Sequence, residues 1–156
     1  MSSNVLALYR RITRWPLGHW LFSRAVCQKA PYFATIRPRF VMLEPGRCAV
    51  RIRDRRAVHN HIGTVHAIAL CNGLEAAMGA LAEASIPPTR RWIPKGMEVA
   101  YTAKATSDIT CIAETDHEQW AGDDPDVPVR VRGVRTDGTV VVEGVIRLWV
   151  TEKPAR

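Results

Sequence analysis

The first 43 residues contain no aspartate or glutamate, although the whole chain has 15 acidic residues. The same segment carries seven arginine and lysine side chains, and the other 15 of the 22 basic residues balance the 15 acids. The net charge of +7 therefore belongs to the N-terminal segment. Such a segment binds nucleic acid or an anionic surface, or forms a packed helix with a solvated basic edge. Trp15, Trp20 and Phe22 lie among the arginines, which also fits an amphipathic surface helix near anionic lipid or a phosphorylated ligand. No zinc-finger or RNA-recognition signature is present, so we expect no nucleic-acid partner.

Long apolar runs and paired cysteines are also missing from the sequence. No stretch approaches the ~18 uncharged apolar residues of a membrane-spanning helix. The segment Trp15–Cys27 is interrupted by Pro16, His19 and Arg24, so it is a poor signal-peptide core. We therefore expect no stable membrane insertion. The four cysteines lie far apart without a C-x-x-C pair, which is typical of scattered thiols in a reducing cytoplasm.

The remaining composition is that of one globular domain. With 156 residues, of which 47% are hydrophobic and 24% charged, the chain is expected to form a single domain over residues 1–156. Residues 4–30 look helical, with a break at Pro16–Gly18, and residues 1–30 are predicted to form an N-terminal helical arm. Pro31 and Pro38 bracket a connecting segment.

The pattern after residue 46 predicts one long helix between strands. Residues 47–53 alternate between polar and apolar side chains, as a half-buried strand does. A helix from about Val65 to Ala84 follows and ends before Pro87. Beyond it we predict two hairpins, with turns at Thr106–Ser107 and Asp137–Gly138. Their strands cover residues 97–105, 108–115, 127–135 and 139–151.

The long helix is apolar on two sides. One broad stripe consists of Ala67, Leu70, Cys71, Leu74, Met78 and Leu81. The opposite side consists of small residues, namely Ala69, Gly73, Ala76 and Ala80. A helix with this pattern is covered on both sides, with a close backbone approach at the small residues. The sequence therefore predicts an α+β fold in which an antiparallel sheet of five or six strands wraps around one long central helix.

Residues 60–75 carry the strongest chemical signal. A polar loop runs through Gly63 into the start of the apolar helix, and Glu75 lies inside that helix. The N-terminus of a helix binds negative charge through its free amides. We expect Glu75 to have aliphatic neighbours, and carboxylates in such surroundings often act as bases or nucleophiles. An oxyanion site beside a base or nucleophile is what acyl transfer requires.

The pattern Asn60-x-x-Gly63-x-x-His66, followed nine residues later by Glu75, resembles the active-site segment of hot-dog-fold acyl-CoA thioesterases of the phenylacetyl-CoA thioesterase type. The resemblance covers about residues 30–151 and implies the hot-dog fold. The flanks RRAVHNHIGTVHAIALCNGLEAAMG and WIPKGMEVAYTAKATSD are more similar still to an uncharacterised bacterial subgroup of that superfamily. The enzymes usually have Gly-Gly after the histidine and more often Asp as the acid, where this chain has Ala67-Ile68 and Glu75.

The resemblance implies catalytic roles for four residues. Glu75 would be the nucleophile or the base that activates water, and the Ala67 amide would polarise the thioester carbonyl. Asn60 would position the water or the substrate carbonyl, although an asparagine here can also simply cap the turn with its own side chain. His66 would shape the same turn.

Other residues are expected to contact the substrate. Gly63 and His61 belong to the same loop as Asn60. Three basic residues either hold the phosphates of coenzyme A or are solvated rim charges, namely Arg90, Arg91 and Lys104. The histidines have no carboxylate or cysteine at ligand spacing, so we expect no metal ion. We also expect no cofactor, because the coenzyme A moiety is part of the small-molecule acyl thioester substrate.

Helix geometry adds that such a site needs two chains. At 1.5 Å per residue, His66 and Glu75 are roughly 13 Å apart along one helix. A nucleophile and an oxyanion donor must both lie ~3 Å from the reacting centre. Two antiparallel chains can satisfy this requirement twice, which predicts a homodimer or a dimer of dimers.

Two other functions remain open. A hot-dog hydratase or dehydratase is one, since His61 lies fourteen residues before Glu75, a spacing similar to that class. The Phe-Pro and Pro-Gly-Val residues of its signature are absent from this sequence. A non-catalytic binder of acyl-CoA or lipid is the other, because Ala67-Ile68 replaces the two glycines.

Overall fold

The structure, a computed structural model, describes residues 2–154, so Met1 and the last two residues of the predicted domain lie outside it. The described range contains three α-helices and six β-strands. The helices are α1 (Ser2–Ile12), α2 (Gly18–Lys29) and α3 (Ala67–Ser85). The strands are β1 (Arg39–Glu44), β2 (Arg47–Ile52), β3 (Arg90–Tyr101), β4 (Ile109–Glu114), β5 (Asp126–Arg135) and β6 (Val140–Glu152).

The strands form one antiparallel sheet around the long helix. Their order is β1-β2-β4-β5-β6-β3, so β1 and β3 form its two edges. The helix α3 packs against β1, β2, β4, β5 and β6. This arrangement confirms the predicted α+β hot-dog architecture.

Packing of α3 follows the two apolar sides of its sequence. Leu70, Leu74, Met78 and Leu81 are buried in the core. At Gly73 the helix comes so close to the sheet that an added Cβ would lie 2.4 Å from the Cδ1 atom of Ile52. By length and composition alone α3 could also cross a membrane, with a mean hydropathy of 1.2, but half of it is buried as the core helix of this fold.

The N-terminal helices cover the outside of this core. The predicted break is present, because α1 ends at Ile12 and α2 begins at Gly18. The helix α1 lies against α3, and α2 lies against β1. Tyr9, Phe22 and Phe40 form a chain of edge-to-face contacts with ring centroids 5.0 and 5.5 Å apart. The helix α1 is therefore packed on α3 and the helix α2 on the edge strand β1, with a solvated basic edge.

The strand β1, which begins directly after Pro38, was not predicted, and two expectations about the other strands are wrong. The strand β3 begins at Arg90, seven residues before its predicted start. The turn at Thr106–Ser107 does not close a hairpin, because β3 pairs with β6 whereas β4 pairs with β2 and β5. The hairpin at Asp137–Gly138 is confirmed, with Gly138 at a φ of 88°.

Candidate functional site

Asn60 organises the loop that leads into α3. Its Oδ1 atom accepts hydrogen bonds from the amides of Ile62 and Thr64, at 3.1 Å each. Its Nδ2 atom donates to the Thr64 hydroxyl at 2.9 Å. Gly63 completes the turn at a φ of 77°, where its amide donates to the Asn60 carbonyl at 3.1 Å. The turn-capping role considered for Asn60 is thus present, and one N–H of its carboxamide is not used by these bonds.

Backbone hydrogen bonds fix this loop to the start of α3. The Val65 amide donates to the Ala105 carbonyl at 3.0 Å, and the His66 amide donates to the Val58 carbonyl at 2.8 Å. His66 is the N-cap residue, because its Nδ1 atom accepts from the Ile68 amide at 3.0 Å. A neutral His66 in this geometry carries its proton on Nε2. The Ala67 amide is one of the first N–H groups, which a helix leaves without an intrahelical acceptor.

A surface cavity of about 340 Å³ lies beside this helix start, and we call it the Asn60 cavity. Three predicted site residues meet in its wall: Asn60, Ala67 and Lys104. The remaining lining is mostly apolar, with Ile62, Thr64, Val65, Leu70, Tyr101, Thr102, Ala103 and Ala105. The structure therefore brings the predicted oxyanion donor, the loop asparagine and one basic side chain to the same cavity.

A second cavity of about 290 Å³, which we call the His66 cavity, also adjoins the N-terminal part of α3. It is lined by Tyr32, Thr35, Ile36, Ala57, Val58, His59, His66, Ile68, Ala69 and Asn72. His59 is paired with Asp54, and the Asn72 carboxamide donates to the Thr35 hydroxyl at 3.1 Å. Of the predicted catalytic residues, His66 therefore lines this cavity, whereas Asn60 and Ala67 line the Asn60 cavity.

Glu75 does not have the apolar surroundings that its sequence context suggested. Its side chain is exposed and lies in the wall of neither cavity. The reason is that the sheet covers the side of α3 that carries Leu70, Leu74 and Leu81. A strip along the outer side of the helix stays accessible. We call this the outer strip, and it consists of Ile68, Cys71, Glu75 and Gly79, all exposed or half-buried.

Two residues connect the outer strip to the Asn60 cavity. The Cys71 sulfur lies 3.2 Å from the Tyr101 hydroxyl, and Tyr101 lines that cavity. The hydrogen bond to Cys71, together with partial burial, raises the pKa of Tyr101. About half of Tyr101, 53%, is exposed. Nothing in the sequence indicated this pair, because Cys71 and Tyr101 lie on different elements.

The structure does not bring the three predicted basic residues together. Arg90 donates from Nε to Glu152 at 2.7 Å and from Nη1 to the Gly122 carbonyl at 2.7 Å. Its guanidinium therefore links β3 to the end of β6 and to the loop before β5. Arg91 lies next to it, exposed. Both are at the start of β3, roughly 35 Å along the strand from the end that leads to Lys104.

The other loop positions are open to solvent. His61 and Gly63 are both exposed, and a Cβ added at Gly63 would meet no atom within 4 Å. Across residues 2–154, no group of three or more histidine, cysteine, aspartate or glutamate side chains is placed to hold a metal ion.

Comparison with solved structures agrees with this architecture. A structural-genomics crystal structure is 42% identical, overlaps 97% of this chain and 99% of its own, and superposes with a TM-score of 0.82. A Pseudomonas aeruginosa protein, described as of unknown function and a probable thioesterase, is 26% identical over 81% of this chain and 91% of its own, with a TM-score of 0.73. A thioesterase family protein from Silicibacter pomeroyi shares the fold at 19% identity, over 84% of this chain and 96% of its own, with a TM-score of 0.68.

These structures confirm the resemblance to the hot-dog thioesterase superfamily. None of the curated proteins matches the sequence. A family model described as "Domain of unknown function (DUF4442)" matches residues 18–150. That range includes the loop, both cavities and all of the sheet except the last two residues of β6, and the chain therefore belongs to the DUF4442 family.

Proposed function

We propose that this protein is a thioesterase that hydrolyses acyl-CoA thioesters at a site shared by two protomers. The observation that carries the proposal is the Asn60 cavity, where Ala67 at the start of a long helix, Asn60 and Lys104 line one space. The Pseudomonas aeruginosa structure described as a probable thioesterase supports the reaction class.

The Ala67 amide is the proposed oxyanion donor. The thioester carbonyl oxygen becomes negatively charged during attack, and the N-terminal end of α3 presents partial positive charge at that point. The loop around Asn60 is held by side-chain and backbone hydrogen bonds before any substrate arrives. This preorganisation is the property that makes an oxyanion site effective.

Glu75 is the proposed base or nucleophile, supplied to this cavity by the second protomer. Within one chain it lies eight residues beyond Ala67, roughly 12 Å along the helix, which is too far to act on the same carbonyl. Its exposure on the outer strip leaves it free to face a partner. The strip adjoins β3, as the Cys71–Tyr101 contact shows, and β3 is an edge of the sheet. Two apolar side chains are also exposed, Ile68 on the outer strip and Ile93 on β3, at 56% and 61%, which favours a covering protomer.

The proposed reaction consumes one water molecule. A water oxygen, or the Glu75 carboxylate in a two-step route, attacks the carbonyl carbon while the Ala67 amide holds the developing oxyanion. The carbon–sulfur bond then breaks, and the sulfur takes up a proton and leaves as the coenzyme A thiol. In the two-step route water then hydrolyses the acyl–Glu75 anhydride, and either route releases the acyl group as a carboxylic acid. Lys104 is the proposed contact for the coenzyme A phosphates, because it lines the same cavity.

The test compares two glutamates of the same helix. In a thiol-release assay over many acyl-CoAs, we expect Glu75→Gln to lower turnover by about 10²–10⁴, the usual contribution of a positioned base. Glu83→Gln is the control, since Glu83 lies two turns further along α3 and accepts from the Trp92 indole at 3.0 Å. We expect that variant to keep the wild-type rate.

Each of the other possible outcomes would contradict the proposal in a different way. Full activity in Glu75→Gln would exclude the assigned base. Tight acyl-CoA binding by the wild type without thiol release would identify a non-catalytic binder. Hydration of an enoyl-CoA without thiol release would identify a hydratase.

A further inference from the structure

The turn between α1 and α2 exposes an unusual amount of apolar surface. Trp15 is 72% accessible, Leu17 69%, Trp20 50% and Leu21 48%. Leu17, Trp20, Leu21 and Arg24 have the i, i+3, i+4, i+7 spacing of one helix face. The opposite face, with Phe22 and Ser23, is buried against the sheet. We call the exposed group, Arg14, Trp15, Leu17, Trp20, Leu21 and Arg24, the α2 patch.

Leu17 has an unfavourable backbone conformation and an exposed side chain. Its backbone has a φ of 66°, in the left-handed region that is unfavourable for a branched side chain and open to glycine. At 69% exposure, its side chain has little packing to compensate for that conformation. A contact outside the chain would give this leucine a role.

The charge around the patch is of one sign. Arg10, Arg11, Arg14 and Arg24 are all exposed, and the first acidic residue of the chain is Glu44. The Arg24 guanidinium lies 5.7 Å over the Trp20 ring. Among the ion pairs found over residues 2–154, none involves these four arginines. Their charge is therefore available to an anionic partner.

We propose that the α2 patch docks the protein on a membrane surface that contains anionic lipid. Tryptophan side chains favour the boundary between headgroups and acyl chains, leucines enter the apolar layer, and arginines bind lipid phosphates. A second copy of this chain would place arginines against arginines. A nucleic acid would use the arginines but would leave Leu17 and Leu21 without a favourable contact. The inference concerns a surface separate from the proposed active site and goes beyond the proposed function.

Vesicle flotation with the full-length protein tests this docking. We expect binding to vesicles of phosphatidylcholine mixed with phosphatidylglycerol, and little binding to phosphatidylcholine alone. Leu17→Gly and Trp20→Ser should each weaken binding by about tenfold, because each removes a side chain that would leave water. Tyr32→Ser is the control, since Tyr32 is 68% exposed but outside the patch.

Leu17→Gly separates docking from folding. Glycine fits the left-handed backbone, so this variant should keep or raise the melting temperature while it loses vesicle binding. Equal binding to neutral and anionic vesicles, or wild-type binding by Leu17→Gly and Trp20→Ser, would overturn the proposal. So would binding of single-stranded RNA without vesicle binding, or self-association that these variants abolish.

Discussion

Ala67 is the first residue of α3, a position at which helices accept proline. His66 before it has φ −64° and ψ 140°, a conformation that also suits a residue preceding proline. Ala67→Pro therefore removes the proposed oxyanion donor while the helix is kept. We expect turnover of acyl-CoA to fall by about 10²–10³, with an unchanged melting temperature.

The matched control at this position is Ala67→Gly, which keeps the N–H group. It should retain the wild-type rate, because the donor survives and the backbone gains freedom of approach. Wild-type turnover in Ala67→Pro, measured beside this control, would remove the Ala67 amide from the mechanism.

At the residue scale, the sequence predicted the structure of the loop around Asn60 better than the surroundings of Glu75. Asparagine followed by glycine three residues later is a local turn signal, and the local hydrogen bonds of Asn60 follow from it. The exposure of Glu75 depends instead on which side of α3 the sheet covers. Small or large apolar residues occur on nearly every side of α3. Its sequence therefore could not distinguish a face that is buried within the chain from one that is left exposed. The hydrogen-bond partners of Arg90 could not be predicted either, since they belong to elements that are distant in the sequence.

At the element scale, Gly73 sets the distance between α3 and the sheet. An added Cβ would lie 2.4 Å from Ile52 Cδ1 and 2.7 Å from Cys111 Sγ, both in the core. A glycine-to-alanine change inside a helix normally stabilises, but overpacking costs more here, about 1–3 kcal/mol. We expect Gly73→Ala to lower the free energy of unfolding by about 1–2 kcal/mol in a denaturant titration.

Gly79 provides the comparison within the same helix. There an added Cβ would lie 3.6 Å from the Trp92 ring, an ordinary contact. Gly79→Ala should therefore be neutral or stabilising by up to about 1 kcal/mol. If both variants had the same stability, the close helix–sheet contact at Gly73 would not limit packing.

Local patterns predicted the helices and one hairpin, but not the pairing of the strands. The Asp137–Gly138 turn needs only two residues with the correct backbone preference, and the sequence shows them. The partner of β3 depends on long-range pairing with β6, which runs from Arg90 opposite Glu152 to Tyr101 opposite Val142. No local signal distinguishes that pairing from a hairpin at Thr106–Ser107. The short β1 was missed because it directly follows the segment between Pro31 and Pro38, which has the sequence of a connection.

At the scale of the whole molecule, the sheet ends in a long edge strand beside the outer strip of α3. The strand β3 has twelve residues and pairs only with β6 within residues 2–154. Exposed Ile93 and Tyr101 lie on it, and Glu75 lies on the helix nearby. An accessible edge of this length favours pairing with another chain. A two-fold pairing would give the proposed site its acid from one protomer and its amide from the other.

Mixing two inactive variants tests that arrangement directly. A heterodimer of Glu75→Gln and Ala67→Pro has one site in which both changes meet and one site in which neither is present. Random pairing gives heterodimers in half of the dimers, so we expect about a quarter of wild-type turnover after the two variants are unfolded together and refolded. Each variant refolded alone should stay inactive, and refolded wild type sets the scale. If the mixture were as inactive as its components while the wild type still released thiol, the enzyme would be a thioesterase whose acid and oxyanion donor come from the same chain.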